Sequence, residues 1–172
     1  AFKGGARMSR AAVLERALAS ATPLVELTGG EPLLQPGTIP LLRELCEAGR
    51  TVLVETSGEA DVSSVDPRVH KIMDLKAPGS GESHRNRWSN LGHLTRRDEI
   101  KFVLRDRADY EWMREVIRER ELASLAGALL ASPVWGVLAP RDLVAWLLAD
   151  GLPVRLSLQL HKVIWDPDAR GV

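Results

Sequence analysis

The chain has 172 residues, and its 23 Lys and Arg are balanced by 23 Asp and Glu. That balance leaves no global field to draw the chain to nucleic acid or to a membrane surface. No apolar run approaches membrane-spanning length, no charged-then-apolar leader is present, and the single cysteine, Cys46, excludes an internal disulfide framework.

A lone thiol fits a reducing compartment, so the expectation is one soluble, cytoplasmic α/β domain over residues 1–172. Ala1 to Met8 is polar and reads as a lead-in. Ser9 to Ser20 carries Val13, Leu14, Ala17 and Leu18 at helical spacing. Leu24 to Leu27 is a short strand that stops at Thr28-Gly29-Gly30-Glu31-Pro32. Thr38 to Ala48 is a helix with Ile39, Leu42, Leu45 and Cys46 on one face, Thr38 as its N-cap and Gly49 as its stop. Cys46 therefore reads as a core thiol.

Val52 to Glu55 and Val69 to Leu75 are strands. Each ends in small or polar residues, Thr56-Ser57-Gly58 and Asp74-Leu75-Lys76-Ala77-Pro78-Gly79-Ser80-Gly81. Glu82 to Arg97 reads as a long irregular loop, too polar for the core, with Arg85, Arg87, Arg96 and Arg97 as a solvated face before an anion site. Glu99 to Leu104 is a strand, Asp109 to Leu122 a helix, and Ala126 to Ala131 a buried strand followed by the loop Ser132 to Gly136. Pro140 to Ala149 is a helix with Pro140 in its first turn and Gly151 past its end. Val154 to Leu160 alternates as a last strand, and His161 to Val172 is a tail. The five tryptophans read as packing residues.

Strands alternating with helices predict a mostly parallel sheet with right-handed crossovers. Polar clusters recur after the strands, and ligand sites of such sheets gather at the carboxyl ends. Among these clusters Leu24 to Gln35 carries the most chemistry. Two glycines at a strand end permit positive φ and expose backbone, and Glu31 adds a carboxylate suited to a ligand ammonium. The plainer reading is a strand-to-helix turn with Glu31 near a helix start. Neither a dinucleotide fingerprint nor a Walker loop is present.

Thr28-Gly29-Gly30-Glu31-Pro32 resembles the turn with which radical S-adenosylmethionine enzymes hold the methionine ammonium of their cofactor. Taken in order with Glu55-Thr56-Ser57-Gly58, the run from Asp74 to Glu82, Lys101-Phe102-Val103 and Gln159-Leu160-His161-Lys162, the chain is similar to the 7-carboxy-7-deazaguanine synthases. The likeness runs from about Leu24 to the end. It implies a partial (β/α) barrel and a ring-contracting lyase that converts 6-carboxy-5,6,7,8-tetrahydropterin to 7-carboxy-7-deazaguanine, with loss of ammonia, on the route to queuosine. The cofactors implied are S-adenosyl-L-methionine, a [4Fe–4S] cluster and Mg²⁺; the partners are an electron donor such as flavodoxin and a second copy of the chain.

For the residues, the resemblance implies that Gly30, Glu31, Asp74, Leu75, Lys76 and the stretch Ser132, Pro133, Val134, Trp135 bind S-adenosylmethionine. It places Thr28 and His161 on the pterin. Read without it, His161 is a strand-end histidine bonded to backbone and Lys76 a surface lysine; Glu55 and Ser57 could reach the ribose and read equally well as ordinary strand-end polar residues. The family's Cys-x3-Cys-x2-Cys loop is absent. With it go the first βα unit and the hydroxyl expected on Mg²⁺, so no metal ligand is assigned in this chain. An Ala start and an intact downstream half favour an amino-terminal segment missing from the sequence. As written, the chain is expected to be inactive alone. The alternative is a cluster-less α/β relative that binds a nucleoside or a pterin without catalysis.

Overall fold

The computed structural model describes residues 6–169. Six strands form one sheet: β1 (Leu24–Leu27), β2 (Thr51–Thr56), β3 (His70–Asp74), β4 (Glu99–Leu104), β5 (Ala128–Pro133) and β6 (Val154–Leu156). All neighbouring pairs are parallel, and the order in the sheet is the order in the chain. Each crossover therefore steps one strand in the same direction, which is the winding of a β/α barrel rather than of a sheet with a switch point.

The helices are α1 (Arg10–Leu18), α2 (Thr38–Glu47), α3 (Arg107–Glu119), α4 (Leu122–Leu125), α5 (Pro140–Asp150) and α6 (His161–Ile164). Strand register shows which face they cover. Val25, Val52, Val54, Met73, Ile100, Phe102, Leu129 and Ala131 share one face, because partners across a parallel ladder project alike. Leu41, Leu42 and Leu45 of α2 pack there over β1 and β2; Tyr110, Met113 and Ile117 of α3 and Leu143 and Leu147 of α5 pack over β3 to β5. The opposite face carries Glu26, Leu53, Glu55, His70, Ile72, Asp74, Glu99, Lys101 and Arg155. A parallel sheet covered on both faces is built from unbroken apolar runs. Here the strands alternate, and the helix-free face stays polar and half-open.

Local chemistry explains the element ends. Ser9 caps α1 by accepting the Ala12 amide at 3.2 Å, and Arg50 collects the carbonyls of Leu18, Ser20 and Thr22 on the way into β1. Gly151, with φ 58°, closes α5 in the left-handed form that favours glycine.

Several sequence expectations are corrected. Gly37, not Thr38, is the N-cap of α2; the Thr38 hydroxyl instead donates to the Pro32 carbonyl at 2.6 Å, locking the turn onto the helix. The third helix starts at Arg107 because Asp106 caps it, and it stops before Glu121, whose φ of 49° turns the chain so that Leu122 enters the core. Ser132 and Pro133 belong to β5 rather than to a loop, held there by pairing with Val103 and Leu104. β6 ends at Leu156, and the expected tail begins with the single turn α6; residues 1–5 of the lead-in and 170–172 of the tail lie outside the described residues.

The segment from Glu82 to Arg97 is the mostly exposed, irregular stretch its composition suggested, wound in short 3₁₀ turns, but it has an interior of its own. Its core is two buried asparagines that act as surrogate backbone. Asn86 both donates to the carbonyl and accepts from the amide of Lys76, while Asn90 donates to the carbonyls of Gly58 and Ala60 and accepts from the Val62 amide. Arg85 pairs with Glu59 and Glu82, Arg87 with Asp61, and Arg96 with the carbonyls of Ala123 and Ala126. All three stay exposed, the solvated face expected of them, while pairing with these local partners.

Candidate functional site

Three successive strand ends, those of β1, β2 and β3, meet in a cleft of about 210 Å³ lined by Thr28, Gly29, Gly30, Glu55, Thr56, Ser57, Asp74 and Lys76. Gly29 and Gly30 have φ of 89° and 59°, so the turn after β1 needs the conformational freedom that the sequence anticipated. Glu31 lies at the N-cap of a 3₁₀ turn, Pro32–Leu34, and is 8% exposed. Its Oε1 accepts the Leu33 amide at 3.0 Å; its Oε2 accepts the Ser57 amide and the hydroxyls of Thr56 and Ser57. Three donors converge on Oε2 and one on Oε1, which keeps a lone pair for a further donor. Glu31 thus binds the turn to the end of β2 as well as lining an adjoining hollow with Gly30, Ser57, Lys76 and Arg85.

On the polar face two lysines sort two acids. Lys76 Nζ donates to Asp74 Oδ2 at 2.6 Å, and Lys101 Nζ donates to Glu55 Oε1 at 2.5 Å. The Thr28 hydroxyl donates to Glu55 Oε2 at 3.3 Å. Asp74 Oδ1 is buried without a partner, and burial pushes the Asp74 carboxyl up against the pull of the Lys76 ammonium. Glu26, two residues before Thr28 on the same face, is also raised, first by burial and then by the Glu55 carboxylate. A buried unpartnered oxygen is costly unless a ligand supplies the missing donor.

The lip beyond β3 is fixed by Asp109, which accepts the amides of Gly79 and Arg105 at 2.7 and 3.0 Å. A Cβ at Gly79 would stand 2.5 Å from Asp109 Oδ2, so glycine is required there. Of the other residues singled out in the sequence, Leu75 is wholly buried with its amide bonded to the Lys101 carbonyl, and Ser132 is buried at the end of β5. Pro133 and Trp135 line a separate apolar hollow of about 630 Å³ with Leu138, Leu158, Gln159 and Val163. Val134 stands between them, its amide bonded to the Leu104 carbonyl. His161 opens α6 with its side chain exposed, so it is not the strand-end histidine of the plainer reading.

Sequence reasoning passed over Lys101 and Glu26 as site residues. The signal was there in principle: charges at every second position of strands whose remaining positions are apolar. Cys46 is half-buried on α2, and burial raises its thiol pKa. Among the described residues no group of three or more His, Cys, Asp or Glu is gathered to hold a metal, and no helix is long and apolar enough to cross a membrane.

A sequentially ordered parallel sheet, helices on one face and a charged cleft over the strand ends together define a partial β/α barrel of the radical S-adenosylmethionine type. No protein-family model matches the chain. Comparison with known proteins is nonetheless specific. The chain is 46% identical over 171 residues to the 7-carboxy-7-deazaguanine synthase of Chlorobaculum tepidum, covering 98% of this chain and 77% of that one. It is 43% identical to the synthase of Koribacter versatilis, covering 99% and 82%, and 39% identical to that of Leptospira interrogans, covering 99% and 76%. The chain belongs to the 7-carboxy-7-deazaguanine synthase family.

Proposed function

We propose that this protein is a radical S-adenosylmethionine lyase that contracts 6-carboxy-5,6,7,8-tetrahydropterin to 7-carboxy-7-deazaguanine, on the route to queuosine and other 7-deazapurines. The observation that carries the reading is the free, buried Asp74 Oδ1 beside the Gly29-Gly30 turn, an acceptor and an open backbone awaiting a polar ligand. The residues fit S-adenosylmethionine, which supplies the hydrogen-abstracting chemistry when bound. Gly30 and Glu31 meet its methionine ammonium, Gly30 by backbone and Glu31 as the negative charge behind it. Asp74, the Leu75 backbone and Lys76 border its ribose and carboxylate. Ser132, Pro133, Val134 and Trp135 form the wall against its adenine.

On the substrate side, Thr28 and the Glu55 carboxylate it touches meet the N–H edge of the pterin, and His161 its carboxylate. The residues given do not fit an iron–sulfur cluster. One half-buried cysteine is not a ligand set. The sheet runs unbroken over both apolar clusters, which supports a single domain. Exposed Leu158, Leu160, Val163, Ile164 and Trp165 support a homodimer, and a flavodoxin-type electron donor completes the partners.

The lone cysteine favours one second reading, a relative that binds pterin or nucleoside without turnover. Anaerobic reconstitution of the full-length gene product with iron and sulfide, then incubation with pterin and S-adenosylmethionine, tests both. Formation of 7-carboxy-7-deazaguanine by mass spectrometry is expected. Binding of both ligands without product would leave the second reading, and binding of neither would overturn both.

A further inference from the structure

We infer that Lys101 is a positioning residue for this site, holding the Glu55 carboxylate in the orientation in which it receives the pterin; the inference rests on the reading above. In the ladder Lys101 stands opposite Asp74, while Glu55 stands opposite Ile72. Lys101 nevertheless reaches diagonally across β3 to Glu55 and leaves Asp74 to Lys76. Glu55 is then held at both oxygens, Oε1 by Lys101 and Oε2 by Thr28, while its side chain keeps 29% exposure toward the cleft.

Stability does not account for this pair. The two side chains are 20% and 29% exposed, and replacing a largely buried ion pair by apolar side chains of similar volume is often neutral or stabilising. Preorganisation does account for it. A glutamate has three side-chain torsions to order, and fixing them before the ligand arrives removes that cost from binding. A carboxylate oriented in this way keeps one lone pair on each oxygen for a planar ligand edge with two adjacent N–H donors, the pattern of a 2-amino-4-oxopyrimidine ring. Lys101 also offsets the charge of Glu55 next to Glu26 and Asp74, so an anionic ligand meets less repulsion.

The test is fluorescence titration of the purified protein with 6-carboxypterin, a stable oxidised analogue of the substrate. Lys101→Met and Lys101→Gln are expected to weaken binding by roughly tenfold to a hundredfold, with Lys101→Arg recovering most of the loss. In a Glu55→Gln background, Lys101→Met is expected to cost nothing further, since the group it positions is gone. Thermal melts of each variant report folding separately. Wild-type affinity in Lys101→Met, or an undiminished loss in the Glu55→Gln background, would overturn the positioning role while leaving the site intact. A folded wild-type protein that binds no 6-carboxypterin would instead remove the reading on which the role rests.

Discussion

The Ser57 amide donates to Glu31 Oε2 at 2.6 Å, so the end of β2 carries the turn that follows β1. Thr56 and Ser57 add their hydroxyls to the same oxygen. The acid of the glycine turn is thereby a fixed part of the sheet rim and not a mobile side chain over a cleft.

Glu31→Gln should accordingly affect folding and binding together. A glutamine turns one acceptor into a donor facing donors, and losing a buried acceptor costs about 1–3 kcal/mol. Urea unfolding should record that loss in the free protein, and S-adenosylmethionine affinity should fall in calorimetry. A loss of affinity with unchanged stability would show that the four internal bonds contribute nothing to the rim.

Asp74→Asn should separate the two effects. Its carboxyl is raised by burial, and Oδ1 has no protein partner, so removing the charge should leave the free protein as stable or more stable. Binding of S-adenosylmethionine should weaken by about 1.5–3 kcal/mol, the range for a hydrogen bond to a charged group. Isothermal calorimetry with a parallel thermal melt measures both quantities.

Glu26 gives a pH signature. Partial desolvation against the sheet face and the Glu55 carboxylate raise its pKa in the folded chain, although the residue stays exposed. An acid raised on folding stabilises the fold while protonated, and that contribution fades as pH rises through the folded pKa. Glu26→Gln should therefore raise the melting temperature at pH 7 to 8. The gain should vanish below about pH 4, where the unfolded glutamate is itself protonated. A gain that grows on acidification would contradict the assigned cause.

Lys71 and Asp98 form a buried pair at 3.1 Å beneath the amino-terminal end of β3. Asp98 also accepts the amides of Lys71 and Thr95, both at 2.7 Å, which pins the loop before β4. Asp98→Ala strands a buried ammonium and should cost about 3–5 kcal/mol in denaturant unfolding. Adding Lys71→Met should recover a large part of that loss, because an apolar pair carries no desolvation penalty.

Much of the architecture was legible along the chain. Apolar residues at every second position marked the strands, and helical spacing marked α1, α2, α3 and α5 between them. The glycine pair announced a turn with positive φ, and Gly151 announced a helix end. The order of polar clusters after strands placed the cleft at their carboxyl ends, where Thr28, Gly30, Asp74 and Lys76 do meet. Composition read the exposed arginines of Glu82 to Arg97 correctly but missed the asparagines beneath them, because a polar side chain reads as solvated until its partners are known. Asn86 and Asn90 are buried as replacements for backbone that the irregular path leaves unpaired.

Local pattern therefore determined which residues face which side of each strand, since a period of two or of 3.6 is written in neighbouring positions. Folding alone decided which acid is tied into the rim, which is paired and which keeps an empty oxygen. Lys101 and Glu55 are 46 positions apart, and Ser57 and Glu31 are 26 apart. Such partners are chosen by strand register and by the reach of one side chain across another strand, quantities that exist only once the sheet has closed.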